Sequence, residues 1–203
     1  VTKEEQNKNS KELLYLIACA LHGTEPEQEK MMQMDLQQMY QMSRFHSLSS
    51  LVCMALENTE LFQTSSPEMQ KKWQDEKNKS IRKNLLLDEE RNKLFAWMNQ
   101  NKIWHMPLKG SLLKEMYPKA GMRQMADNDI LFDQAFQYPV KEYMESQGYQ
   151  VVSVGKGNHD VYEKPPVYNF ELHTALFGGE QDSVLIDYYQ NVKERLLPDA
   201  PDS

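Results

Sequence analysis

The spacing of apolar side chains changes character near residue 100, and few architectures accommodate the change. Before it, apolar residues recur at helical intervals: Leu13, Leu14, Leu16, Ile17, Ala20 and Leu21 form one face that stops at His22-Gly23. A second helix is expected after Pro26, carrying Met31, Met34 and Met42, and a third over Leu48, Leu51, Val52, Ala55 and Leu56. Ser65-Ser66-Pro67-Glu68 combines a cap with a proline start and predicts a long fourth helix to about Asn99. Beyond it the apolar runs are short. Ile103–Leu108 reads as a strand, Leu112–Tyr117 as a short helix closed by Pro118, and Asp127–Phe132 as a second strand. Gln134–Gln147 reads as a helix ended by Gly148. Tyr149–Val154 and His159–Glu163 form a hairpin, and Val167–His173 alternates as a strand. Val184–Leu197 is again helical. The expected fold is α+β, with a helical region over 1–100 and an α/β region over 101–203.

Composition narrows the possibilities. Charged residues make up 26% of the 203 and no apolar stretch approaches the roughly 20 residues of a membrane helix, so no membrane partner is expected. The Lys-, Glu-, Gln- and Asn-rich start does not read as a secretion signal. Cys19 and Cys53 lie in apolar helical stretches and read as small hydrophobes, which suits a cytoplasmic location. The histidines show no paired zinc-ligand spacing. Lys71, Lys72, Lys77, Lys79, Arg82 and Lys83 are interleaved with Asp75 and Glu76. With a net charge of -7, a solvated helix face is expected there and no extended nucleic-acid surface. The thirteen methionines, many at helical spacing, read as core filling.

The chemistry concentrates in two short motifs. Asp127 and Asp129, one residue apart at the start of a strand, project to the same side and can share metal ions. Lys109-Gly110-Ser111, between strand and helix, offers unhindered backbone N–H groups and a hydroxyl to a phosphate. Lys109, Lys114, Lys119 and Arg123 face only Glu115 in this stretch, so the local charge is opposite to that of the chain. Taken alone, Gly110 reads as a turn residue, Ser111 as a helix cap, Asp127 as a turn residue before a strand, and Lys114 and Lys119 as solvated surface. Asp129 is harder to explain without a cation, because a carboxylate among strand-forming apolar residues is costly to desolvate.

Pro107 to Phe132 carries Leu-Lys-Gly, Tyr-Pro, Gly-x-Arg and Asp-x-Asp-Ile-Leu in that order, and resembles an uncharacterised nucleotidyltransferase family within the DNA polymerase β-like superfamily. The resemblance covers Ile103 to about Phe177. It implies a mixed sheet with flanking helices and transfer of a nucleoside monophosphate from an NTP substrate to a hydroxyl acceptor, with Mg2+ or Mn2+ as cofactor. The acceptor is left open among a protein side chain, a small molecule and an RNA end. It also implies a third carboxylate on a later strand, for which Glu171 in Glu171-Leu172-His173 is the candidate. On this reading Asp127, Asp129 and Glu171 hold the metal and are catalytic, while Lys109, Gly110, Ser111 and Arg123 bind phosphate. His173 reads as a core histidine. Relatives of this type continue with further helices, so the α/β region is expected to be truncated at its C-terminal end. The alternative function is a non-catalytic interaction or nucleotide-sensing module on a degenerate scaffold of the same kind.

Overall fold

A computed structural model describes residues 3–179, 183–189 and 192–196. These residues form two compact units that interleave in sequence. One comprises residues 1–88 and 110–126, the other 89–109 and 127–203, whereas the apolar spacing suggested a single boundary near residue 100.

The first unit is helical. It contains α1 (Lys3–His22), α2 (Gln28–Met31), α3 (Leu36–Phe45), α4 (Ser49–Leu56), α5 (Glu60–Gln63) and the first part of α6 (Pro67–Gln100). The single helix expected after Pro26 is broken in two. Asp35 takes an extended backbone and its Oδ1 accepts from Gln37 N (2.8 Å) and Gln38 N (3.2 Å), so the chain restarts as α3. Thr59 similarly caps the short α5, which the apolar spacing did not reveal. Ser66 caps α6 by accepting from Met69 N at 3.2 Å, and Pro67 occupies the first helical position, where its missing N–H costs nothing. The core packs Leu16, Met39, Leu51, Leu56, Phe62 and Trp73, and includes Met31, Met34 and Met122, which supports core filling for the methionines. Cys19 and Cys53 are buried free thiols.

The second unit is built on five strands: β1 (His105–Pro107), β2 (Asn128–Phe132), β3 (Gln150–Ser153), β4 (His159–Lys164) and β5 (Tyr168–His173). α7 (Gly110–Leu113) falls in the first unit, and α8 (Gln137–Ser146), α9 (Ser183–Tyr189) and α10 (Val192–Leu196) in the second. The sheet order is β1-β2-β5-β4-β3, with β2 and β5 parallel and the other neighbours antiparallel. This mixed sheet with flanking helices is an α+β fold, as expected.

Strand alternation gives the sheet two unlike faces. Ile130, Phe132, Phe170, Leu172 and Tyr162 turn into a core shared with Val140 and Met144 of α8 and Leu94 and Met98 of α6. Trp97 stacks on Tyr143 beside it at 4.2 Å between ring centroids. Asp160 is buried on the core side and is satisfied by Gln137 Nε2 (3.0 and 2.9 Å) and Gly155 N (2.8 Å), which ties the hairpin turn to α8. The expected Val184–Leu197 helix appears as α9 and α10, with residues 190, 191 and 197 outside the described set. Among the described residues no helix is long and apolar enough to cross a membrane.

Candidate active site

The other face of the sheet carries the polar residues. Asp129 is the second residue of β2 and pairs in register with Glu171 of β5, so two carboxylates from strands distant in sequence stand side by side. His173 follows Glu171 on the same face by the two-residue alternation. Ligand atoms of Asp129, Glu171 and His173 all lie within 4.8 Å of one another.

Lys109 reaches the same group. Leu108 N donates to Asp129 O at 2.8 Å, which fixes the end of β1 beside β2. Lys109 then turns with φ of 45°, a left-handed conformation uncommon for a residue with a side chain. Its ammonium lies 2.5 Å from Asp129 Oδ1 and 3.5 Å from Glu171 Oε2. In this arrangement the Lys109 ammonium neutralises the two carboxylates.

Electrostatics follow from these neighbours. Burial works most strongly against ionisation of Asp129, whose residue is 4% exposed. The hydrogen bonds from His173 and Lys109 and the Lys109 charge outweigh it and hold the carboxyl down at about 2. For Lys109, desolvation is again the largest opposing influence, and the bond to Asp129 with the two carboxylate charges raises its pKa above the usual lysine value.

His173 Nε2 sits 3.1 Å from Asp129 Oδ1, and its Nδ1 is buried with no hydrogen-bond partner among the described residues. A proton on Nε2 can be donated to the carboxylate. A neutral ring with its proton on Nδ1 would bury an unpaired donor and turn a nitrogen lone pair toward a carboxylate. The imidazole therefore acts as a donor that fixes Asp129. Asp129, Glu171 and His173 together form a group whose ligand atoms could hold a metal ion.

The family described as uncharacterised nucleotidyltransferase matches residues 32–196. The chain belongs to this family. No curated protein and no solved structure matches the chain. The nucleotidyltransferase match extends well upstream of Ile103, so most of the helical part is family sequence as well as the sheet. It spans all seven residues singled out from the sequence.

These seven are distributed unevenly in the chain. Asp129, Glu171 and Lys109 are brought together. Asp127 is half-buried, one residue before β2, and lies outside the Asp129–Glu171–His173 group. Gly110, Ser111 and Arg123 belong to the helical unit. Ser111 is buried in the first turn of α7, and the Arg123 guanidinium lies against Gly110, where an added Cβ would stand 3.4 Å from Nη2 and 3.0 Å from the Met125 methyl. Gly121 explains the Gly-x-Arg element: its φ is +83°, and a Cβ there would come within 2.4 Å of Ile81 Cγ1 on α6. Ser80 Oγ donates to Gly121 O (2.9 Å) and Asn84 Nδ2 to Arg123 O (3.1 Å), so this loop is sutured to α6. Lys114 is not the solvated lysine expected: its side chain is 9% exposed and it pairs with Asp88 and Glu115.

Sequence reasoning gave His173 too small a part. The signal was present in the alternation, since residues two apart on a strand share a face and Glu171 was already a candidate.

Proposed function

We propose that this chain transfers a nucleoside monophosphate from an NTP to a hydroxyl acceptor and releases pyrophosphate. The observation that carries the reading is the register pairing of Asp129 with Glu171 across parallel β2 and β5, in a nucleotidyltransferase-family chain. Asp129 and Glu171 would hold a divalent cation, with Asp127 contributing from the residue preceding the strand. When bound, such ions stabilise charge on the attacking and leaving oxygens of an in-line displacement.

The protein's own part is positioning and charge placement. His173 holds Asp129 in one orientation through its Nε2–H. Gly110 and Ser111, through backbone N–H groups and a hydroxyl, and Arg123, through its charge, are the residues proposed for phosphate contact. The acceptor oxygen attacks the α-phosphorus, the bond from that phosphorus to the bridging oxygen breaks, and pyrophosphate leaves. Glu171, with a side chain 27% exposed, serves either as ligand to the divalent cation or as the base that takes the acceptor's proton. The acceptor is a protein side chain, a small hydroxylated molecule or an RNA end.

The test is incubation with each α-labelled NTP, Mg2+ or Mn2+ and cell extract, following label transfer and pyrophosphate release. Both are expected for the natural chain and neither for Asp129→Asn. Saturable nucleotide binding without pyrophosphate release under every combination would replace transfer by nucleotide sensing.

A further inference from the structure

Within the charged cluster one member is out of keeping with a simple metal cage. Asp129 is buried, and the cation touching it is a lysine whose side chain is 56% exposed, carried on a left-handed turn. The ammonium spans Asp129 and Glu171, the two residues whose oxygens suit a hard divalent ion. A lysine and a divalent ion cannot occupy the same oxygens at full strength, because two cations a few ångströms apart repel. His173 Nε2 also lies 3.1 Å from Asp129 Oδ1, so the carboxylate has a second contact besides the lysine.

We propose that Lys109 is a resident counter-ion of the Asp129–Glu171 pair, displaced when a divalent cation binds and freed to contact the anionic phosphates of the nucleotide. The inference rests on the proposed nucleotidyl-transfer reading and assigns Lys109 a positioning role in it. Three features support the exchange. The side chain is long and more than half exposed, so it can swing without disturbing the core. Its next neighbours in sequence are Gly110 and Ser111, the candidate phosphate contacts. Its ammonium also reaches both carboxylates at once, 2.5 Å from Asp129 Oδ1 and 3.5 Å from Glu171 Oε2.

The consequence is coupling between metal and nucleotide. Displacing Lys109 costs metal affinity, and a triphosphate that engages the released ammonium recovers it, so each ligand strengthens the other by the same factor.

The experiment measures Mn2+ binding to the whole chain without nucleotide, by electron paramagnetic resonance of free Mn2+, and then tripolyphosphate binding at saturating Mn2+. Lys109→Met is expected to bind Mn2+ about tenfold more tightly or better than the natural chain and to bind tripolyphosphate about tenfold more weakly, as expected for removing a cation in direct contact with the carboxylates. Lys109→Arg keeps the charge and is expected to stay near the natural chain in Mn2+ affinity. Unchanged or weaker Mn2+ binding by Lys109→Met, with Mn2+ still bound by the natural chain and lost in Asp129→Asn, overturns the counter-ion role and leaves the transferase reading standing. An equal gain for Lys119→Met, an exposed lysine elsewhere in the basic stretch, overturns it as a general charge effect. Absence of saturable Mn2+ binding in every variant, with or without tripolyphosphate, overturns the proposal together with the metal-dependent reading.

Discussion

Replacing Asp129 by Asn keeps the shape of the side chain and removes its charge, so it tests the site and its share of stability in one variant. In the natural chain the carboxyl is held at about 2, against an ordinary value of 3.8. At about 1.4 kcal/mol for each factor of ten in the ionisation constant, that depression corresponds to roughly 2 kcal/mol of folding free energy. The sign follows from the direction. A depressed carboxyl stabilises the fold above its unfolded pKa, and the contribution disappears as pH falls from about 4 toward 2. In chelator at neutral pH, Asp129→Asn is therefore expected to be less stable by about 2 kcal/mol, and the gap is expected to close on acidification through that window. Adding Mn2+ at a hundred times its dissociation constant should stabilise the natural chain by a further ~2.7 kcal/mol and the variant by almost nothing, widening the difference to about 5 kcal/mol. Urea unfolding read by amide hydrogen exchange in β2 and β5 measures all three quantities on the strands that carry the site. A gap that Mn2+ leaves unchanged refutes Asp129 as a metal ligand. A gap that persists unaltered through the acid window refutes the attribution to ionised Asp129.

Four other outcomes follow from the same geometry. Gly121→Ala places a Cβ 2.4 Å from Ile81 Cγ1 at a φ of +83°, and should cost roughly 1–3 kcal/mol in thermal or urea unfolding. Burial pushes the Cys53 thiol up to about 12, so Ellman's reagent near pH 8 should label Cys53 in the folded protein no faster than the helical unit opens, and promptly in urea. Tyr149→Phe removes the 2.8 Å bond to Glu90, which keeps Lys93 and Lys164 as neighbours; a loss of about 1–2 kcal/mol is expected by urea unfolding. His173→Gln leaves a donor near Asp129, whereas His173→Phe removes it. Mn2+ affinity should fall about 10–100-fold for Phe and less for Gln, measured by calorimetry, and equal losses would count against a positioning role.

What the residues disclosed, and what they withheld, follows the range of the interactions. Helix starts and strand alternation are local, so the Ser66-Pro67 start of α6 and the Glu171/His173 face of β5 were legible. The break at Asp35 was missed because its cap is decided by two backbone bonds that compete with a continuous apolar spacing. Lys109 showed its charge and its turn but not its direction, since a flexible four-carbon stem reaches phosphate or carboxylate equally well. The pairing of Lys114 with Asp88 is equally non-local, joining residues far apart in sequence.

The site itself depends on a parallel pairing that no short stretch of sequence contains. Asp129 meets Glu171 only because Asn128, Asp129, Ile130 and Leu131 align with Phe170, Glu171, Leu172 and His173. A slip of one residue would reverse the facing of one strand's side chains relative to the other and separate the two carboxylates. The same slip would also draw apolar side chains out of the core, where Ile130, Phe132, Phe170 and Leu172 are each at most 2% exposed. Burying each such side chain contributes roughly 1.5–3 kcal/mol, far more than the carboxylates could cost by standing together beside a cation. The register that places the acidic residues side by side is thus enforced from the opposite face of the sheet, and the apolar residues two by two hold the chemistry in position.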